Sequence, residues 1–420
     1  MAGSLAEHAR RRVRESRELR FASRAVPVAV PIPYRRLAGI YFAYFAFVGA
    51  FAPYFGLYLQ SIGQAAWQIG LLLSLLQLMR IAAPYFWASL ADRYGWRARL
   101  LQGTLAAGLA AYAGVFATTD FAGLFVALAG FAFFSSATMP LVEAITLAGL
   151  RGRIERYGGI RLWGSVGFIV AVLGAGWALD RVAIANLLWM LALALAATLA
   201  LACSLRDRAR LAPPAHEPVW RQALRPEIVA LLVANVLMNV AHGPLYAFYS
   251  IYLAQVGYSR SAIGLLWSLG VVAEIGVFLA APVWMKRFAA HDVLAACFTL
   301  AVVRFALIGW GVASLPLLVV AQVLHAATFG ACHMASLALV NRWFTGTRQV
   351  RGQALYLSIS FGLGGFIGAA ASGAAWDAIG PAWTFTGASV AAAAGLLVLA
   401  RQAKLLRRAS GRRVDVATPS

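Results

Sequence analysis

The sequence predicts an all-α integral membrane protein, with twelve transmembrane helices in two pseudo-symmetric six-helix bundles. Composition is the first indication: 62% of the 420 residues are hydrophobic and 12% are charged, against about half and about a quarter in a soluble globular chain. The second is distribution. The runs 104–118, 121–134, 166–179 and 182–205 carry almost no charge, and some approach the roughly 20 residues that cross hydrocarbon. The third is an internal repeat. Tyr58-Leu59, Gly63, Ile69-Gly70-Leu71-Leu72 and Ser74-Leu75 recur as Tyr252-Leu253, Gly257, Ile263-Gly264-Leu265-Leu266 and Ser268-Leu269, at a constant offset of 194. A tandem repeat of six helices puts a binding site near mid-membrane, between the halves.

Apolar runs bounded by charges, Pro and Gly give helices at 38–59, 67–90, 98–118, 121–147, 158–179 and 182–205. These form an N-terminal bundle, 38–205. A polar stretch at 206–226, with Pro213, Pro214 and Pro218, reads as a linker. The C-terminal bundle, 227–402, takes helices at 227–254, 262–285, 291–313, 316–342, 353–376 and 382–402, and tails remain at 1–37 and 403–420.

The net charge of +21 could suggest nucleic acid, but its placement excludes that reading. Thirty-one of the 36 Lys and Arg residues fall in the tails, the linker and the loops on one side; Arg181 and Arg260 alone fall in loops on the other. The positive-inside rule makes the richer side, with both termini, cytoplasmic. A cell inner membrane is the expected location, and the basic tail, Arg10 to Arg24, is expected to face anionic lipid. That tail has no apolar core before Tyr34 and so is no signal peptide; Glu7, Glu15 and Glu18 argue against a transit peptide. Cys203, Cys297 and Cys332 sit far apart in apolar segments, where they read as fillers. No metal site or cofactor is expected. A monomer is expected.

Ionisable groups at membrane depth cost at least about 2.5–3.5 kcal/mol near the centre and are functional candidates by default. The set is compact: Arg80 in helix 2, Glu143 in helix 4, Arg161 at the start of helix 5, Glu274 in helix 8 and Arg304 in helix 9. His242, His325 and His333 add protonatable groups, of which His333 reads as structural. The repeat maps Arg80 onto Glu274. Three arginines against two glutamates leave one positive charge over, and if all five face one cavity that surplus stabilises an anion. Arginine suits a carboxylate through its bidentate fork.

Softer signals accompany these charges. Tyr41, Tyr44, Phe45, Phe51, Phe55 and Tyr58 crowd helix 1, either to stack on a ligand ring or to pack and meet lipid. Asn235, Asn239 and His242 share one face of helix 7, which favours lining a cavity over hydrogen-bonding another helix. Gly362-Leu363-Gly364-Gly365 and Gly368 permit close helix packing; a phosphate loop is excluded because the segment is transmembrane. No nucleophile–base set, metal cluster or appended soluble domain points to an enzyme or a sensor.

After helix 2, Ala88-Ser89-Leu90-Ala91-Asp92-Arg93-Tyr94-Gly95-Trp96-Arg97-Ala98-Arg99 resembles the loop signature of the major facilitator superfamily, with Ala88 for the first glycine and the basic pair shifted to Arg97 and Arg99. The resemblance implies a conformational latch made by Asp92, Arg93, Gly95 and Arg97; the repeat puts Lys286 opposite Asp92 in the second half. Glu143 and, 18 residues on, Arg161-Leu162-Trp163-Gly164-Ser165-Val166-Gly167 resemble the lactose permease family, which implies a pair gripping the substrate. Glu274, Arg304 and His325 resemble that family's proton-coupling set, although its carboxylate three residues after the histidine is Thr328 here, so Glu274 becomes the expected carrier. Tyr157-Gly158 with Arg161–Val166, the stretch from Gly257 to Glu274, and Arg80 are similar to the phenylpropionic acid permease branch.

These resemblances imply a secondary transporter that moves a small organic acid with protons across the bilayer. The substrate would meet Glu143, Arg161, Arg80, Asn239, His242 and Tyr44, with Tyr44 among the helix 1 aromatics. A proton-coupled sugar or nucleoside symporter remains the alternative, favoured by the Glu143–Arg161 pair. A drug exporter is weaker, because helix 5 lacks an evident glycine–proline run.

Overall fold

The computed structural model describes residues 34–150, 153, 156–206 and 219–403. The tail residues 1–33 and 404–420, and most of the expected linker, 207–218, lie outside the described residues. From Arg35 onward the described chain forms one compact unit. Its long helices are α1 (Tyr34–Ser61), α2 (Ala66–Tyr94), α3 (Arg97–Ala113), α4 (Phe121–Leu150), α5 (Tyr157–Leu179), α6 (Ile184–Cys203), α7 (Pro226–Val256), α8 (Arg260–Arg287), α9 (Ala290–Gly311), α10 (Leu315–Trp343), α11 (Gln349–Ile379) and α12 (Pro381–Arg401). Eleven of them are long and apolar enough to cross a membrane. The other, α3, has 17 residues and continues as a 3₁₀ turn, Gly114–Phe116. No strand occurs among the described residues.

Helix is the necessary conformation for such runs, because backbone groups in lipid must be satisfied within their own segment. The ends follow local rules. Asp120 Oδ1 accepts the Gly123 amide at 2.9 Å to start α4, and Ser259 Oγ accepts the Ala262 amide at 3.2 Å to start α8. Proline stands in the first turn of α7, α10 and α12, where its missing N–H is not needed. Gly95 (φ 71°) and Gly257 (φ 100°) close α2 and α7 in the left-handed region.

Three irregularities lie inside spans. Ser136 and Ala137 interrupt α4, and single π-helical turns occupy Ala326–Ala331 in α10 and Ser358–Leu363 in α11. A π turn re-aims the side chains that follow it and is frequent at functional sites.

Burial orders the helices. In α1 and in α7, 67% of the most apolar window is buried, against 28% in α6. The repeat relates α1 to α7, and both sit centrally. Across the seam between bundles, α5 packs on α8 and α2 on α11. The Asp92 loop marks one end of the bundle, called here the basic face, and the α5–α6 and α7–α8 turns mark the far face. Near the far face Trp67, Trp177, Trp189, Trp310 and Trp383 are all more than half exposed, the amphipathic belt expected where helices leave a bilayer.

Candidate functional site

The N-terminal wall is built by α1 and α5. The Arg161 guanidinium, on the first turns of α5, lies 4.3 Å over the Phe45 ring and 5.6 Å from the Tyr41 ring centroid. Gly164 makes this stacking possible: a Cβ there would stand 2.8 Å from both Arg161 Nη1 and Phe45 Cδ2. Tyr44 meets Phe45 edge-on at 5.3 Å. Glu143 accepts a hydrogen bond from the Tyr157 hydroxyl at 3.4 Å. The expected Glu143–Arg161 pair is not in contact, because stacking on Phe45 carries the guanidinium away from the carboxylate. The Tyr41 hydroxyl is buried without a partner.

Arg80 is exposed to the space between the bundles, with Nη1 donating to Gln77 Oε1 at 3.0 Å. Its carbonyl accepts the Ser358 hydroxyl at 3.4 Å, joining α2 to the π turn of α11. Tyr44 lies in the field of Arg80, Arg161 and Glu143, while Tyr246 lies in that of Glu274, Arg304 and Arg80. Arg80 thus acts on both Tyr44 of α1 and Tyr246 of α7, which ties the two walls to one region between the bundles, while Arg304 is enclosed within the C-terminal bundle.

On the C-terminal wall the expected proton-coupling residues are split. Glu274 is half-buried, and among the described residues its carboxylate makes neither a hydrogen bond nor an ion pair; the charge that acts on it is Arg161 of the other bundle. Arg304 is wholly enclosed. Its Nε donates to the Ala321 carbonyl at 2.8 Å, and its Nη1 donates to Thr328 Oγ1 at 3.1 Å and lies 3.3 Å from His242 Nε2. The His325 ring stacks on Phe329, 5.2 Å away. Glu274 makes no contact with Arg304 or His325; its side chain packs beside Gly330 of α10, one turn along α8 from Gly270, which faces His325.

The polar face of α7 also points into its own bundle. Asn235 Oδ1 accepts the Ser336 hydroxyl at 3.1 Å, and Asn239 Nδ2 donates to the Asn235 carbonyl at 2.9 Å. With His242, Thr328, His333 and Tyr356 they line a small cleft between α7, α10 and α11. His333 Nδ1 lies 3.2 Å from the Tyr356 hydroxyl. Gly364 and Gly368 sit against Val236 and Val240 of α7.

Each face has its own contact device. At the basic face Asp92 Oδ1 meets Arg97 Nη2 at 3.1 Å, Gly95 turns the chain between them, and Arg93 lies 5.6 Å from the Tyr94 ring. An apolar cavity lined by Trp87, Tyr94, Trp96, Arg99 and Phe134 lies behind this loop, away from the seam. At the far face the Asp180 carboxylate, just past α5, accepts the amides of Arg260 (2.8 Å) and Ser261 (2.9 Å) and the Ser261 hydroxyl, all on the first turn of α8. Arg260 Nη1 returns a bond to the Leu179 carbonyl at 3.0 Å, and the Tyr54 hydroxyl lies within reach of the Val172 (2.8 Å) and Arg260 (3.1 Å) carbonyls. A carboxylate on a helix N-terminus also meets the positive end of the helix dipole. Burial, the largest influence on Asp180, pushes its carboxyl up; the bonds from Ser261 and Arg260 together outweigh that and hold it below the ordinary carboxylate value.

Asp180, Arg260, Ser261 and Tyr157 are not among the site residues that the sequence singles out. A signal existed for Arg260 and Ser261: Ser259-Arg260-Ser261 opens α8 where the repeat has Ala65-Ala66-Trp67 at the start of α2. On that side the seam closes by contact alone, and a Cβ at Gly70 would stand 2.6 Å from the Ala369 carbonyl.

Comparison with known proteins gives a consistent result. The model described as "MFS_1 like family" matches residues 34–387. The "Probable 3-phenylpropionic acid transporter" of Escherichia coli (strain K12) is 31% identical over 339 residues, 78% of this chain and 87% of that protein. The "Maltose permease" of Geobacillus stearothermophilus is 32% identical over 259 residues, 59% of this chain and 64% of that protein. Among solved structures, the nucleoside transporter NupG superposes with a TM-score of 0.75 at 16% identity, over 89% of this chain and 99% of that chain. At that identity the match concerns the fold.

Proposed function

The chain belongs to the MFS_1-like family of membrane transporters, and from that premise we propose that it takes up a small organic carboxylate, with aromatic acids the first candidates, together with protons, by alternating access. One observation carries the substrate class: Arg80, Arg161 and Arg304 lie within membrane-spanning helices, and none touches a carboxylate among the described residues. Arg80 and Arg161 face the region between the bundles, where a substrate carboxylate can supply the missing negative charge through a bidentate contact. Phe45 and Tyr44, both partly exposed, stand beside it. The name of the Escherichia coli relative agrees with this class.

The coupling reading rests on the shared field of Arg161. Its charge acts on Glu143 in its own bundle and on Glu274 across the seam. A substrate carboxylate that occupies Arg161 removes the counter-charge of Glu274, which then binds a proton and travels neutral. In this scheme the basic face is cytoplasmic and the far face external. The Asp180 clasp holds the external side shut, so loading from outside begins with its release.

The test is uptake into proteoliposomes with an imposed proton gradient, comparing 3-phenylpropionate, its amide, maltose and a nucleoside. Saturable uptake of the acid, dissipated by a protonophore, is the expected result. A second reading, a sugar carrier, is favoured by the maltose permease relative and by the Glu143–Tyr157 hydrogen bond, a ready partner for sugar hydroxyls. Uptake of maltose without uptake of the acid would replace the first reading with the second.

A further inference from the structure

We propose that the C-terminal bundle carries a second, separate anion site at Arg304, filled by a halide-sized ion such as chloride. Arg304 is 0% exposed, and a guanidinium keeps its charge at any physiological pH. All of its partners are neutral. The Ala321 carbonyl takes Nε and the Thr328 hydroxyl takes Nη1. The third partner, His242, lies with Nδ1 2.8 Å from the Met238 carbonyl. The proton therefore belongs on Nδ1, and Nε2 faces Arg304 Nη1 as a neutral acceptor at 3.3 Å. Nη2 has no partner.

Among the described residues the chain offers no carboxylate to correct this. Glu227 and Asp292 stand in the first turns of α7 and α9 at the basic face. Asp377 is near the far end of α11, and Glu274 packs beside Gly330 without contacting Arg304. An enclosed cation with only neutral partners is strongly unfavourable in a medium that cannot screen it.

The surroundings have the complement of an anion. One more buried polar atom in the field of Arg304 makes no hydrogen bond: His325 Nδ1. With Arg304 Nη2 it makes two donor-capable groups without an acceptor in the field of one positive charge. The small cleft between α7, α10 and α11 begins at His242 and Thr328, the two side chains that touch Nη1. Enclosure sets the size of the occupant: Arg304, Thr328 and His242 are 0%, 1% and 2% exposed. A single ion fits that description and an aryl acid does not. The substrate carboxylate has its own arginines, Arg80 and Arg161, at the seam.

The experiment uses the purified full-length protein in detergent. Its unfolding midpoint is followed as sodium chloride or sodium bromide replaces sodium gluconate at constant ionic strength. The wild type is expected to gain a few degrees, saturably, with either halide, as a ligand that binds only the folded state requires. Arg161→Gln, at the seam, should keep that gain. Arg304→Gln should lose it. Thr328→Glu, which supplies an internal carboxylate beside Nη1, should match the halide-bound wild type in gluconate and ignore halide, and it serves even if Arg304→Gln fails to fold. A wild type indifferent to halide overturns the proposal. So does a gain that survives Thr328→Glu, or one abolished by Arg161→Gln. Uptake of the acid is measured separately, so failure of the carboxylate reading leaves the halide result intact.

Discussion

At the scale of single residues, stacking is what sets the orientation of the guanidinium that faces the seam. Arg161 lies 4.3 Å over Phe45, a cation–π contact of about 0.5–2 kcal/mol, so the ring fixes the plane of the fork. Phe45→Leu is expected to raise the KM for an organic acid about three- to tenfold while sparing kcat, and Phe45→Trp to restore it. Arg161→Lys keeps the charge but loses the planar fork; uptake is expected to fall at least about tenfold, since hydrogen bonds to charged groups are worth roughly 1.5–3 kcal/mol. Normal transport by the lysine variant would remove Arg161 from the binding site. Glu274→Gln mimics a permanently protonated carrier. It should abolish uphill uptake and leave substrate exchange across the membrane, which counterflow measures; persisting proton-driven accumulation would place the carrier elsewhere.

Between elements, the seam closes in two different ways although the halves are repeats. On one side α2 and α11 meet backbone to backbone: a Cβ at Gly373 would stand 2.7 Å from the Ala66 carbonyl, and one at Gly70 2.8 Å from Gly373 Cα. Contact that close tolerates no side chain. Gly373→Leu is expected to hold the far end of this seam apart. Reaction of Ala66→Cys, buried in the present structure beside Gly373, with an impermeant thiol reagent should then rise severalfold. Unchanged labelling would mean that α2 and α11 stay in contact at this end. On the other side α5 and α8 are joined by the polar clasp of Asp180, with Arg260 and Ser261 as partners.

For the whole molecule, the clasp makes closure of the far face depend on pH. Because the folded-state value of Asp180 is depressed, the clasp contributes fully above the ordinary carboxylate value of about 4, and its contribution is lost as pH falls through the depressed value. Distances between spin labels on the far ends of α5 and α8 should lengthen as pH falls below about 4. The same lengthening should appear at neutral pH in Asp180→Asn. A separation indifferent to both would mean that packing alone keeps this face shut.

Much of the architecture was legible in the sequence because hydropathy is a local, one-dimensional property. Every backbone group in lipid must be paired within its own segment, so the helices lie where the apolar runs do. The exception is α3, which ends at Ala113 and passes into a 3₁₀ turn within an unbroken apolar run, where composition marks no end. The list of membrane charges was legible for the same reason. Their grouping was not. Glu143 and Arg161 share a spacing with known pairs, yet Phe45, from another helix, takes the guanidinium. Glu274, Arg304 and His325 lie on three successive helices, yet Arg304 bonds to Ala321, Thr328 and His242 and not to Glu274, which packs beside Gly330. The π turn at Ala326–Ala331, which delivers Thr328 to Arg304, has no sequence mark.

Hydropathy and the internal repeat are enough to specify a twelve-helix membrane fold with five charges at membrane depth, because both follow from the cost of polar groups in hydrocarbon. Which charges meet, which face the seam, and that Asp180 reaches a helix start 80 residues away are settled by the packing of the folded chain. Those contacts depend on helix rotation and crossing, which residues distant in sequence fix together.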